Sequence, residues 1–241
     1  MDGRIVLVSY QEILADYGWV LQMTSNDAQL PPGGVPIDDA VWEAWHPAQL
    51  ATLLRQVTAP WYVAGGWALD LFRGRQTREH EDLEMGLPDT PEAFGQVRQA
   101  LRGYDIEVAG GPPSRLWPVD SPAFALMHQT WVSELLQPEA GIPLQRIYRL
   151  DIFREPQRNG QWVCRRDETI ALPYDQIIHR DKNGIPYLAP QIVLLFKAKA
   201  ARQKDQADLE GTLPLLAPED RSWLATTLSR VHPGHEWLSQ L

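Results

Sequence analysis

The sequence predicts an α+β (mixed α/β) fold, a small mixed sheet with flanking helices followed by a helical C-terminal domain. Three observations carry that expectation. Between residues 47 and 165, short apolar or alternating runs bounded by Gly, Pro and Asn-Gly exchange places with segments of helical periodicity. Beyond Pro190 the strand signals stop and amphipathic stretches follow. The chain has 241 residues, 44% of them hydrophobic, which suits one large domain or a small core with a helical appendage.

Composition narrows the function class. A formal net charge of −9 argues against a surface built for nucleic-acid backbones and suits a cationic small molecule better. The single cysteine, Cys164, excludes an internal disulfide framework, fits a reducing compartment and is expected to pack in the core. No apolar run approaches bilayer-spanning length, and the start MDGRIVLVSYQE has too short an apolar run for a secretory signal. A soluble cytoplasmic protein is expected.

The elements follow in order. Residues 1–37 read as an N-terminal extension, with Ile5–Val8 either a short strand or a helix start and the Pro-Gly run at 31–36 a linker. Residues 38–188 read as the core. From Pro47, Leu50, Leu53, Leu54 and Val57 fall on one helical face, and Ala59-Pro60 ends it. Trp61–Ala64 reads as a buried strand, Gly65-Gly66 as a turn and Trp67–Phe72 as an amphipathic helix. Asp82, Leu83, Glu84 and Met85 alternate as a strand whose carboxylates share one face.

Thr90 with Pro91 then marks a helix start, and Phe94, Val97 and Leu101 give that helix its apolar face. Tyr104–Val108 reads as a strand ended by Gly110-Gly111-Pro112-Pro113. Residues 114–140 are ambiguous, with Met127–Leu136 a candidate helix. Arg146–Phe153 alternates as a strand, and Gln161–Arg165 is expected to pair with it across a turn at Asn159-Gly160. Residues 189–241 read as the helical C-terminal domain, with one long helical run from Gln191 to Leu213 and another over Pro218–Val231.

Two carboxylates side by side on a strand repel, so a cation is expected between Asp82 and Glu84. Mg²⁺ takes oxygen ligands and keeps substrate phosphates in its shell. Backbone N–H groups at the Gly65-Gly66 turn, opening a helix, suit a phosphate. Taken alone, a D-x-E pair is more often a solvated face. Its setting between a glycine turn and an apolar strand is what points to phosphoryl or nucleotidyl transfer.

The block GGWALDLFRGRQTREHEDLE resembles the signature of the DNA-polymerase-beta-type nucleotidyltransferase superfamily, in its aminoglycoside and lincosamide nucleotidyltransferase branch. The resemblance rests on Gly65-Gly66-Trp67, on Gly74-Arg75-Gln76-Thr77-Arg78-Glu79-His80 and on Asp82-Leu83-Glu84, and covers residues 47–155, with the helical half in 189–241. It implies a nucleotidyltransferase fold. It also implies one or two Mg²⁺ ions on Asp82 and Glu84, and a nucleoside triphosphate, ATP above others, as co-substrate. The reaction implied moves a nucleoside monophosphate to a hydroxyl of a small molecule such as an aminoglycoside, releasing pyrophosphate. Relatives use a third carboxylate from a later strand. The candidate is Asp151, as metal ligand or general base, against the alternative of an acid paired with Arg149 or Arg154. Glu84 departs from the aspartate that many relatives carry.

Nucleotide-binding candidates are Gly65, Gly66, Arg75, Arg78, Lys197 and Lys199. Arg75 and Arg78 are equally readable as ion-pair partners of Glu79, Glu81 or Asp70. Lys197 and Lys199 stand about 200° apart on a helix, so both cannot face one site. His80 is read as an orienting hydrogen-bond partner, Asp70 as structural, and the His232/His235 pair as a weak metal candidate. Two rivals stay open: a toxin-like nucleotidyltransferase acting on a protein or RNA, and a non-catalytic nucleotide-binding protein. The acceptor, the base preference and the oligomeric state are not encoded in any motif.

Overall fold

The computed structural model describes residues 7–9, 31–37, 39–111, 115–136 and 145–241. Ile5, Val6, most of the 1–37 extension, Pro112 and Pro113 lie outside the described residues. The fold is mixed α/β. The chain divides into two compact units, Met1–Ala59 with Glu81–Arg154, and Pro60–His80 with Glu155–Leu241. That division cuts the chain at 59, 80 and 154.

In the first unit the long strand Gln145–Glu155 organises the sheet. On one edge it pairs antiparallel with Gln129–Leu136, which pairs in turn with Asp105–Gly110, and that with Arg115–Pro118. The other edge is shared. Asp39–Trp42 runs parallel to it at Ile147 and Tyr148, and the acid strand Glu84–Pro88 lies beside it further along. Leu7–Ser9 is a strand, antiparallel to Asp39–Trp42. Trp131 packs edge-on to Trp42 and Tyr148 at 5.2 and 5.1 Å between centroids, an arrangement favoured by the ring quadrupoles.

Two sequence expectations change here. Met127–Leu136 is not a helix: Gln129–Leu136 is a strand. Its Thr130, Trp131 and Val132 fit a pleated, two-sided burial, and strands on both flanks supply ladder partners no helix would have. The helix from Pro47 ends at Leu53, although Leu50 and Leu54 are fully buried as expected. His46 caps it, its Nδ1 accepting the Ala48 N–H while Gln49 reaches back to the His46 N–H. The helix Pro91–Ala100 starts as read, with Thr90 Oγ1 accepting from the Ala93 N–H and Phe94, Val97 and Leu101 buried.

In the second unit Tyr62–Val63 pairs parallel with Pro186–Leu188, which forms a hairpin with Ile178–Arg180. A separate antiparallel sheet joins Gln157–Arg158, Gln161–Val163 and Ala171–Pro173. The Asn159-Gly160 turn is present, both residues at positive φ of 54° and 75° as a tight hairpin requires. It pairs Gln161–Val163 with Gln157–Arg158, not with the Arg146–Phe153 segment as expected.

The helices Gly65–Arg73, Pro190–Lys197, Gln203–Thr212 and Pro218–Val231 complete this unit. Pro190–Lys197 is buried on several sides, with Ile192, Val193, Leu194 and Leu195 all in the core, because other helices of the unit pack around it. The expected run from Gln191 to Leu213 is broken. A 3-10 turn at Ala198–Ala200 leads to Arg202, which caps a new helix at Gln203 and bonds the Asp205 carboxylate. Pro218–Val231 is helical as read. Among the described residues no helix is long and apolar enough to cross a membrane.

Candidate active site

In the first unit the expected alternation is present. Leu83 and Met85 are fully buried, while Asp82 and Glu84 are half-buried and so lie on the opposite face. Strand geometry proper begins at Glu84, so Asp82 and Leu83 enter just ahead of it. Pairing nevertheless reaches back to Leu83, whose carbonyl accepts the Asp151 N–H at 2.8 Å.

That hydrogen bond brings the third expected acid beside the first two along the backbone. Asp151 is fully buried opposite Trp131, and its Oδ2 accepts from Gln129 Nε2 at 2.7 Å. The arginines read as alternative partners bind other carboxylates. Arg149 bonds Glu134 at 2.7 Å and Glu43 at 2.9 Å, and Arg154 bonds Asp89 at 2.8 Å. Burial pushes the Asp89 carboxyl up, but His128 and Arg154 outweigh it and hold the group below its usual range.

Among the described residues no group of three or more His, Cys, Asp or Glu side chains is arranged to hold a metal ion. Asp151 is fully buried, with one carboxylate oxygen bonded to Gln129. The remaining pair, half-buried carboxylates on one face, is the donor set Mg²⁺ takes when substrate phosphates complete its shell.

In the second unit Gly65 and Gly66 are the first residues of the helix Gly65–Arg73 rather than a turn before it. Gly65 enters at φ 57°, a value only glycine holds cheaply. The first intrahelical bond runs from the Ala68 N–H to the Ala64 carbonyl, and Ala64 supplies no side-chain cap. The N–H groups of this first turn thus make no bond within the helix. Gly66 is glycine for a different reason: a Cβ there would lie 2.7 Å from the His80 ring and closer still to the Arg78 guanidinium.

Asp70 anchors the segment that follows. It is 3% exposed and accepts from His80 Nε2 at 2.6 Å, from the Thr77 N–H at 3.1 Å and from Thr77 Oγ1 at 2.5 Å. Burial raises its pKa, but the His80 and Thr77 hydrogen bonds prevail and keep it below the ordinary carboxylate range. His80 also stacks on Trp67 at 4.4 Å, so it is fixed on two sides.

A buried ionic network extends from there. Arg73 reaches Asp208 and Thr212, Arg78 pairs with Asp208 at 3.3 Å, and Lys197 lies 2.7 Å from Asp205 and 3.2 Å from Asp208. Arg75 is exposed, its backbone N–H donating to the Asp70 carbonyl. Lys197 and Lys199 do face different surroundings, as the helical rotation requires. Lys199 is held below the ordinary lysine range by partial burial and by Arg166. Arg73 as a network member escaped the sequence reading, because nothing in its spacing marks a contact more than a hundred residues away.

Two further sequence candidates, His235 and Cys164, are structural. His235 Nδ1 accepts the Trp237 N–H, and its Nε2 donates to the Ala198 carbonyl at 2.8 Å, so both ring nitrogens are used. Cys164 is fully buried, and burial pushes its thiol up, away from nucleophilic use.

The aminoglycoside-2''-adenylyltransferase family model matches residues 48–112. Among solved structures, a lincosamide antibiotic adenylyltransferase, LnuA, with lincomycin bound is 18% identical over 70% of this chain and 95% of its own, with a TM-score of 0.46. ANT(2")-Ia in complex with adenylyl-2"-tobramycin is 15% identical over 76% of this chain and 95% of its own, at 0.47. A nucleotidyltransferase-like antigenic protein from Paracoccidioides brasiliensis is 14% identical over 95% and 92%, at 0.39. These structural likenesses are weak, and no curated protein matches. Residues 48–112, holding the glycine helix, the Gly74–His80 segment and the paired acids, match an antibiotic-adenylylating enzyme family, and the chain resembles the aminoglycoside/lincosamide nucleotidyltransferase branch.

Proposed function

We propose that this protein transfers a nucleoside monophosphate, AMP from ATP, to a hydroxyl of a small cationic antibiotic. One observation carries the reading: within the family-matched segment, Asp82 and Glu84 are half-buried on one face while Leu83 and Met85 anchor the other in the core.

In this reading Asp82 and Glu84 would hold Mg²⁺ with the nucleotide bound. Such an ion supplies charge neutralisation on the triphosphate and alignment of the attacking and leaving oxygens. The acceptor oxygen forms a bond to the α-phosphorus as the bond from that phosphorus to the bridging oxygen breaks, and pyrophosphate leaves. Asp151 is assigned the acceptor's proton, as general base rather than third ligand, because Gln129 holds one of its oxygens. Gly65 and Gly66 contribute first-turn N–H groups to a phosphate, with Arg75 and Arg78 as guanidinium donors. Arg78 divides that role with its ion pair to Asp208. Lys197 is assigned to positioning, through Asp205 and Asp208. The net charge of −9 favours a polycationic acceptor over an anionic one.

The test is incubation with each NTP, Mg²⁺ and a panel of aminoglycosides and lincosamides, following pyrophosphate and the mass of the acceptor. A mass gain of one nucleoside monophosphate, lowered about 100-fold or more by Asp82→Asn, is expected from loss of electrostatic stabilisation. Equal background for wild type and Asp82→Asn across the panel overturns the reading. Parallel mass spectrometry of co-expressed proteins and RNA exposes a macromolecular acceptor.

A further inference from the structure

The helix that restarts at Gln203 turns a polar face inward. Asp205, Asp208 and Thr212 stand three and four residues apart, on one face, and all three are buried. A buried carboxylate persists where cations and hydrogen bonds replace its water. Asp208, 3% exposed, is met by three cations: Lys197 Nζ at 3.2 Å, Arg78 Nη2 at 3.3 Å and Arg73 Nη1 at 3.6 Å.

The three cations differ in what else holds them. Arg73 Nη2 donates to the Asp208 carbonyl at 2.6 Å and to Thr212 Oγ1 at 2.9 Å, while its Nη1 reaches Thr77 and Asp70. Gly211 leaves room for it, since a Cβ there would lie 3.1 Å from Arg73 Nη2. Arg73 thereby ties the end of the helix Gly65–Arg73 to the helix that carries Asp208. Lys197 has a second carboxylate, Asp205, at 2.7 Å. Arg78 has Asp208 as its one carboxylate among the described residues, with its Nη1 donating to the Glu79 carbonyl. Its side chain is 27% exposed, against 6% for Arg73 and 11% for Lys197. Arg73 and Lys197 are internal ties; Arg78 presents its guanidinium to solvent from a fixed place.

Two contacts define that place. Arg78 Nη2, the nitrogen on Asp208, is also the atom nearest to where a Gly66 Cβ would stand. The guanidinium is seated between the Gly66 backbone and the Asp208 carboxylate. An unheld arginine samples many rotamers and loses that freedom when it grips an anion. A carboxylate that holds it beforehand removes this cost from binding.

We propose that Asp208 is a positioning residue for nucleotide binding, holding Arg78 against Gly66 in the orientation that receives phosphate. This role rests on the reading of Gly66 and Arg78 as phosphate-binding groups. Asp208 touches no ligand itself, and every residue it works through lies in the second unit.

Calorimetric titration of the full chain with Mg²⁺ and α,β-methylene ATP, whose α–β bridge is not cleaved, tests it. Wild type is expected to bind saturably. Arg78→Gln and Asp208→Asn are each expected to weaken binding about tenfold or more, as suits one charged hydrogen bond lost or misplaced. The double variant is expected to bind no more weakly than Arg78→Gln alone, because Asp208 acts through Arg78. General loosening of the network would instead add its loss to that of Arg78→Gln. Asp208→Asn is expected to fold, since Lys197 keeps Asp205 and Arg73 keeps Asp70. Thermal melts check this. If it does not fold, Asp208→Glu, which keeps the charge but moves it by one methylene, replaces it in the cycle with the same expectation. Wild-type affinity in Arg78→Gln or in the variant at position 208, or additive losses in the cycle, overturns the proposal and leaves nucleotide binding itself intact. No saturable binding by wild type overturns both. Coupled losses without transfer to any acceptor remove the transfer reading and leave the role of Asp208 standing.

Discussion

Glu84 has one more methylene than the aspartate its position resembles, and the two carboxylate lengths make a direct comparison possible. Its backbone is fixed by Leu83 and Met85 on either side, both fully buried, so a shorter side chain moves only the carboxylate. Glu84→Asp is expected to keep transfer within about tenfold of wild type, while Glu84→Gln falls about 100-fold or more, since charge rather than reach neutralises the phosphates. Steady-state rates across a Mg²⁺ series check this. Equal loss in both variants would show that length matters as much as charge. Gly66 gives a second residue-scale expectation. A methyl group there meets the His80 ring at 2.7 Å, and His80 is clamped by Asp70 and Trp67. Gly66→Ala is expected to lower stability by about 1–3 kcal/mol, the usual cost of overpacking, measured as a urea midpoint shift without change in slope.

At the scale of elements, helix starts decide where the chain turns. Thr90 closes the acid strand and opens the helix Pro91–Ala100 by accepting the Ala93 N–H at 3.2 Å. Thr90→Ala is expected to cost ~1 kcal/mol, seen in thermal melts, whereas Thr90→Ser is expected to melt near wild type. The break at Arg202 is the opposite case. Periodicity continues through it, yet Asp205 binds the Arg202 N–H and guanidinium while also facing Lys197. Those bonds outweigh one continuous helix, because they satisfy a carboxylate that is 1% exposed. The strand Gln129–Leu136 was illegible for a related reason. Its identity comes from two neighbouring strands, and a window of ten residues contains neither of them.

Across the whole molecule, both units depend on carboxylates held in their charged form. Burial alone would raise Asp205, but the Arg202 hydrogen bond and the Lys197 charge overcome it and depress the group strongly. Asp70 and Asp89 are depressed as well, each against burial, by hydrogen bonds and charges from His80 and Thr77 and from His128 and Arg154. A folded-state pKa below the unfolded one makes the folded state bind fewer protons. Its contribution is complete above the unfolded value of about 4 and is lost as pH falls through the folded values. Stability of the wild type is therefore expected to decline steeply below about pH 4. Asp205→Asn is expected to be less stable near neutrality and to show a shallower decline, as read from denaturant midpoints over that range. Parallel slopes in the two proteins would show that Asp205 does not carry the dependence.

The sequence by itself determined the mixed α/β class, the alternation that buries Leu83 and Met85 and leaves Asp82 and Glu84 on the other face, the Thr90 cap and the Asn159-Gly160 turn. Each is a local matter: periodicity, a cap or a turn is encoded within a few neighbouring residues. Local pattern also located the paired acids and the glycines that open their helix. Only the tertiary structure decided that Gly66 is glycine because His80 and Arg78 pack on it, that Asp151 is held by Gln129, and that Lys197 is bound by Asp205 and Asp208. Such partners lie beyond the reach of a local pattern, eight residues apart for Lys197 and Asp205 and 22 for Gln129 and Asp151, and their proximity depends on which strands pair and which helices break, a choice made by the packing of the chain as a whole.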